Sequence, residues 1–239
     1  MIIRTIKIFK DALFPPRCVV CNMSTNNSQY ESICESCIQE YIPYSGFSCP
    51  DCGKRIPTIS SLCHRTNFLL IASTIYSNVC AEALIHNLKF KFIKSAALPL
   101  AHMILQSLSS VVNEIPFDIS HALLVPIPLA LRREYERGFN QSALIAKQIN
   151  TLIPQLIYAP EIIRRTRYET PQSKTRSQKE RELHLNNAFS VNIPTEMKGF
   201  PIFLVDDVYT TGATVRNAIT ELKNNGAGKI IVLVAAKTE

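Results

Sequence analysis

The stretch Phe203-Leu-Val-Asp-Asp-Val-Tyr-Thr-Thr-Gly-Ala-Thr-Val215 decides both the fold and the site. Ile202–Val205 is a continuous apolar run, the pattern of a strand buried on both faces. Asp206 and Asp207 come where that strand leaves the sheet. Two adjacent carboxylates there accept hydrogen bonds from a sugar diol or influence a hard cation. Thr210, Thr211, Gly212, Ala213 and Thr214 follow, small residues that open a helix. The free N–H groups of a helix start point outward, and the helix dipole favours an anion. Gly212 lets the backbone approach closely, and the three hydroxyls donate further hydrogen bonds. The stretch therefore reads as a phosphate cradle with a diol clamp beside it. It lacks a Gly-Lys-Ser/Thr ending, which leaves an ATPase loop of the Walker type with little support.

Outward from this loop, strands and helices alternate from about residue 67. Leu70–Ser77, Ala122–Ile127, Pro201–Val205 and Ile230–Ala235 read as strands, with Ala188–Val191 as a short one. Val79–Lys89, Ser95–Asn113, Gln141–Leu152 and Thr214–Asn225 read as helices, the last ended by Gly226 and Gly228. Near-continuous Val, Ile and Leu strands alternating with helices predict an α/β fold. Its sheet is mostly parallel and is covered by helices on both faces. Ligands of such sheets sit at the carboxyl ends of the strands, which places Asp206 and the residues after Pro126 on the functional edge. Arg132, Arg133 and Arg137 lie just beyond that second strand end, and a planar guanidinium suits a diphosphate. The segment Arg164–Arg181 is strongly basic, with Arg164, Arg165, Arg167, Lys174, Arg176 and Arg181 around Thr170-Pro-Gln-Ser173. It reads as a long polar loop, either a lid over a diphosphate or a track for a nucleic-acid backbone. The only aromatics close to it in sequence are Tyr158 and Tyr168, so it gives little support to base stacking.

The chain has 239 residues and a formal charge of +7, a balance that favours polyanionic partners such as phosphate ligands or nucleic acid. Seven of its eight cysteines lie within residues 18–63, six of them as Cys-x-x-Cys pairs. That is metal spacing, and it points to a reducing cytoplasm and away from a disulfide scaffold. Cys18, Cys21, Cys34 and Cys37 make a closed four-cysteine zinc site with a structural role. Cys49 and Cys52 with Cys63 make a second set that lacks a fourth cysteine. It is degenerate, metal-free, or completed by His64, whose adjacency to Cys63 makes joint chelation awkward. Residues 15–66 have too few long apolar runs for a core of their own, and a bound metal would supply the missing folding energy. Met1–Phe14 is apolar but broken by Arg4, Lys7 and Lys10, with no small-residue cleavage site, so no signal peptide is expected. Ile2, Ile3, Ile6, Phe9 and Leu13 recur at helical spacing, which predicts an amphipathic helix. No apolar run reaches the length of a transmembrane span.

The loop at 203–215 resembles, position for position, the signature of type I phosphoribosyltransferases for phosphoribosyl diphosphate (PRPP). With it come the cysteine pairs, Leu88-Lys89-Phe90, Val125-Pro-Ile-Pro128 and Arg137-Gly-Phe-Asn-Gln141, then Arg165-Thr-Arg167, Thr170-Pro-Gln172 and Arg181. This order is similar, over nearly the whole chain, to the ComF family of bacterial natural competence. The family pattern has a cysteine where this chain has Thr66. The resemblance implies a double zinc ribbon over 1–66 and a phosphoribosyltransferase-like domain over 67–239. Asp206 and Asp207 would meet the ribose hydroxyls, and Thr210–Thr214 the 5′-phosphate. It also implies PRPP with magnesium, single-stranded DNA and proteins of the competence machinery as partners. The motifs leave the reaction open between a ComF-type role, nucleobase salvage and non-catalytic sensing.

Overall fold

A computed structural model describes residues 15–25, 27, 29–166 and 188–239. The expected helix over the first fourteen residues falls outside the described residues, as do Arg167, Lys174, Arg176 and Arg181 of the basic segment.

The strands are β1 (Phe47–Ser48), β2 (Arg55–Ile56), β3 (Leu69–Ile75), β4 (Leu123–Pro126), β5 (Ile157–Tyr158), β6 (Ile163–Arg165), β7 (Phe189–Val191), β8 (Ile202–Tyr209) and β9 (Ile230–Lys237). The helices are α1 (Glu35–Gln39), α2 (Val79–Phe90), α3 (Ala97–Ser109), α4 (Leu131–Arg137), α5 (Gln141–Leu152) and α6 (Ala213–Asn224). One seven-stranded sheet runs β2-β1-β3-β9-β8-β4-β5. Its five strands from β3 to β5 are parallel. The β1–β2 hairpin of the cysteine-rich region adds to the β3 edge in antiparallel fashion, with Ser48 opposite Leu70. β6 and β7 form a separate antiparallel pair.

Alternation along each central strand feeds two cores. Phe203, Val205, Ile231 and Leu233 face α2, α3 and α5, together with the buried cysteines Cys18, Cys34 and Cys37. Ile202, Leu204, Ile230 and Val232 face α6 and the β6–β7 pair. α6 meets that second core through Val215, Ala218, Ile219 and Leu222, an i, i+3, i+4, i+7 stripe. The expected mostly parallel sheet with helices on both faces is thus the observed architecture.

Several boundaries differ from the sequence reading. β8 does not stop at Val205. β9 keeps pairing with it through Asp206↔Val234 and Tyr209↔Lys237, whereas β4 drops away after Pro126↔Val205. Asp206 and Asp207 are therefore strand residues held from one side only. The arginines after Pro128 lie on a short helix that the sequence reading does not contain, α4, closed by Gly138 at φ 74°. The expected helix over 95–113 is divided into α3 with short 3-10 turns at Lys94–Ala96 and Val112–Glu114.

Candidate functional site

A cleft of about 580 Å3 opens where β4 ends and β8 continues. Its walls carry Asp206, Asp207, Thr210 and Thr214 from the loop, Arg133 and Arg137 from α4, Ser142 from α5, Arg165 from β6, and Lys89 from the last turn of α2. Four distant segments, from α2, α4–α5, β6 and β8–α6, meet there because the parallel sheet gathers strand ends at one edge. Asn140 ties the end of β4 to the start of α5. Its side chain caps α5 by accepting from the Ser142 and Ala143 amides and donates to the Ile127 carbonyl at 2.9 Å.

The two carboxylates have different surroundings. Asp206 accepts from the Ser142 hydroxyl at 2.7 Å and from the Asp207 amide at 2.9 Å. Asp207 is 4% exposed. Its Oδ1 pairs with Lys89 at 2.9 Å, while its buried Oδ2 has no partner. An unpartnered buried carboxylate oxygen beside a cleft is acceptor capacity without an internal use. Burial pushes the Asp206 carboxyl up to about 7, with the Asp207 charge adding to the rise. The Ser142 and Asp207-amide hydrogen bonds and Lys89 act the other way.

An acid whose native pKa lies above its unfolded value holds its proton longer in the native state. The resulting stability is complete below the unfolded value near 3.8 and is lost as pH rises to about 7. Asp206→Asn keeps the shape without titrating. The stability of the wild type relative to this variant is expected to fall from about pH 4 to about pH 7 and then level off. Denaturant midpoints across that range check it, and parallel curves for the two proteins would refute the shift.

Gly212 precedes α6 at φ 73°, a conformation that side chains disfavour. A Cβ there would also meet the Tyr209 hydroxyl, at 2.1 Å. Arg137 stacks over Phe90 at 5.9 Å and donates to Gln141. Arg132 does not line this cleft. It pairs with Glu136 at 2.8 Å and borders an adjoining one with Arg133, Arg165 and Thr214. Arg164 lies in the groove between α4 and β6.

Sequence reasoning missed Lys89 and Ser142 as site residues, and it missed the aromatic rim. Leu88-Lys89-Phe90 is visible as a motif, but nothing local assigns it a partner about 118 positions downstream. Phe90 and Phe92 line the cleft and are 60% and 51% exposed. By contrast, Tyr158 is half-buried and donates to the Ala143 carbonyl, while Tyr168 falls outside the described residues.

The metal clusters lie in the N-terminal region. The ligand atoms of Cys18, Cys21, Cys34 and Cys37 lie within 4.8 Å of one another, and so do those of Cys49, Cys52, Cys63 and His64. Zn–S bonds of about 2.3 Å put tetrahedral ligands about 3.8 Å apart. The observed Cys21–Cys34 separation of 3.7 Å and Cys52–Cys63 separation of 3.5 Å fit that edge and are far from a disulfide bond. His64 completes the second set despite its neighbour. Its Nδ1 is 3.4 Å from the Cys49 sulfur and 3.3 Å from that of Cys63. Thr66 instead donates to the Phe68 carbonyl at 2.7 Å. The Ser36 hydroxyl and the Cys37 amide hold the Cys34 thiol down to about 6, whereas burial and the neighbouring sulfurs push the Cys37 thiol up, the pattern of thiols crowded together. Four protein ligands at each cluster leave no open position, so zinc here is structural.

Comparison with known proteins agrees with this layout. Residues 144–239 match the phosphoribosyl transferase domain, and residues 9–67 match the double zinc ribbon domain. A phosphoribosyltransferase-type α/β domain with a double zinc ribbon is the class that fold and site define. The chain is 30% identical over 208 residues to competence protein ComFC of Bacillus subtilis, covering 82% of this chain and 80% of that protein. It is 28% identical over 231 residues to DNA utilization protein YhgH of Salmonella typhimurium, covering 94% and 98%. It is 34% identical over 114 residues to competence protein F of Haemophilus influenzae, covering 46% and 47%. The chain belongs to the ComF family. Among the described residues no helix is long and apolar enough to cross a membrane.

Proposed function

We propose that this chain binds PRPP and works with single-stranded DNA during DNA uptake, in the cytoplasm and beside proteins of the competence machinery. The reading keeps residues 1–66 as the zinc-ribbon part and 67–239 as the phosphoribosyltransferase-like part. The observation that carries it is the juxtaposition of Asp206 and Asp207 with Thr210 and Thr214 in one cleft that Arg133 and Arg137 also line. A ribose diol suits the paired carboxylates, and phosphate oxygens suit the helix start and the guanidinium groups. The open Oδ2 of Asp207 fits a ribose hydroxyl or a magnesium ion carried by the diphosphate. The name of the YhgH relative supplies the link to DNA, and those of ComFC and competence protein F the link to competence.

Single-stranded nucleic acid fits the rim of the cleft. Exposed aromatic faces stack unpaired bases, and cations beside them track the phosphates. Phe90 and Phe92 supply the faces, and Arg133, Arg137 and Arg165 supply the charge. Phe92 holds φ 56°, an outlier for a bulky residue, and its ring meets Phe139 edge-on at 6.3 Å. Strain of this kind gathers at sites of function.

Titration of PRPP with magnesium into zinc-loaded protein is expected to give saturable heat. A folded, zinc-loaded protein that shows none overturns the reading. For DNA, Phe90→Ala and Phe92→Gly are each expected to weaken a fluorescent single-stranded oligonucleotide about tenfold with an unchanged salt slope. Glycine accepts the φ of residue 92 without strain, so loss of binding there reports stacking and not misfolding. Arg133→Ala is expected to flatten the salt slope by about 0.7. Equal affinity of both phenylalanine variants and wild type removes the stacking role.

A further inference from the structure

The second metal cluster is built against the phosphate loop. Pro50 and Asp51 are the two residues between the ligands Cys49 and Cys52. The Pro50 carbonyl accepts from the Tyr209 hydroxyl at 2.9 Å and from Arg216 at 2.7 Å. Arg216 also pairs with Asp51 at 2.9 Å and lies over the Phe68 ring at 5.8 Å. Tyr209 is the last residue of β8 and Arg216 sits in the first turn of α6, so these two residues bracket Thr210–Thr214. The Tyr209 ring is wedged between the Pro50 carbonyl and the bare face of Gly212, where a Cβ would overlap its hydroxyl. Cys49 is 1% exposed, and its knuckle is closed by the Cys49 amide on Lys54 and the Gly53 amide on Cys49.

The position of the Pro50 carbonyl follows from where Cys49 and Cys52 are held. A zinc ion bonded to both sulfurs fixes the knuckle. Without it, Cys52, Cys63 and His64 are exposed residues on short irregular segments, which order poorly on their own. We propose that zinc at Cys49, Cys52, Cys63 and His64 latches the phosphate loop through Pro50, with Tyr209 and Arg216 as positioning residues. Loss of this one zinc frees the loop and weakens its phosphorylated ligand, a form of control by metal supply. The ligand side of this inference rests on the PRPP reading above.

Two measurements on the full chain separate the two ideas. Hydrogen exchange compares the two-zinc protein with His64→Ala, whose zinc content is counted directly. Faster exchange at residues 209–216, with no change in β4, is the expected result. Unchanged exchange there in a one-zinc protein overturns the latch, whatever binds the loop. PRPP affinity is then measured for His64→Ala, Tyr209→Phe and the double variant. Each single change is expected to cost about tenfold, Tyr209→Phe with both zinc ions retained. The double variant is expected to cost little more, because both changes break one connection. Costs that multiply in the double variant overturn the latch. A wild type that protects residues 209–216 through zinc but binds no PRPP sinks the PRPP reading and leaves the latch standing.

Discussion

Asp207→Asn is expected to lower the affinity for PRPP with magnesium by about a hundredfold or more, a larger loss than any other single change in the cleft. Asp207 carries two separate duties. Its Oδ1 neutralises Lys89 at 2.9 Å, and its Oδ2 is a buried acceptor with no internal partner. The contact that Oδ2 would make is a hydrogen bond to a charged group, which contributes about 1.5–3 kcal/mol, and its upper end accounts for two orders of magnitude. The amide keeps the size of the carboxylate but puts an N–H donor in place of one oxygen. It also leaves Lys89, whose side chain is 20% exposed, without its counter-charge. Breaking one partner of a buried pair typically costs about 3–5 kcal/mol, and partial exposure of Lys89 brings this case below that range. Binding should therefore suffer more than folding. Calorimetry with urea unfolding on the same samples distinguishes the two losses. Retained PRPP affinity in a correctly folded Asp207→Asn protein would remove this residue from the ligand site.

What could be read in the sequence followed the distance over which its causes act. α5 matches its sequence-predicted bounds because its cap Asn140, its apolar stripe and its end are all local. β8 runs past the predicted end because its last four residues are held by β9, a partner that no local pattern reveals. The run Asp206-Asp207-Val208-Tyr209 reads as a loop by hydropathy. It stays a strand because Lys89 neutralises Asp207 and because Tyr209 finds the Pro50 carbonyl. α4 has no buried residue, so it lacks the periodic signal of a helix, and only Gly138 marks its end. β1 and β2 are two residues each, too short for alternation to show, yet they join the cysteine-rich region to the main sheet. The loop at residues 206–214 was legible because its chemistry is contiguous. The cations and aromatics that face it come from α2, α4 and β6, and only the folded sheet brings them together.

The first metal cluster should matter to the whole molecule and not just to its own segment. Cys34→Ser is expected to lower the melting temperature by about 6–12 °C and to abolish one zinc per chain. The reason is where the cluster sits. Cys18, Cys34 and Cys37 share one core with α2, α3 and the inner faces of β8 and β9. Cys80 of α2 donates to the Cys37 carbonyl at 3.1 Å, and the Tyr41 hydroxyl donates to the Ser73 carbonyl of β3 at 2.9 Å. Tyr30 meets His102 of α3 edge-on at 5.4 Å. Releasing this segment would uncover apolar surface on two helices and leave the Ser73 carbonyl without the Tyr41 hydroxyl. A structural zinc site supplies folding free energy directly, and a loss of about 3 kcal/mol shifts a domain of this size by the amount expected. Serine keeps the size of cysteine but is a poor zinc ligand, so the effect reports the metal. The second cluster provides the contrast, because of its ligands only Cys49 joins that core, Cys52, Cys63 and His64 are exposed, and its knuckle meets Tyr209 and Arg216 through Pro50. His64→Ala is therefore expected to shift melting less than Cys34→Ser while weakening PRPP more than its small stability cost explains. Calorimetric melting with metal counting checks the order. Equal melting of Cys34→Ser and wild type would show that the first cluster carries no folding energy.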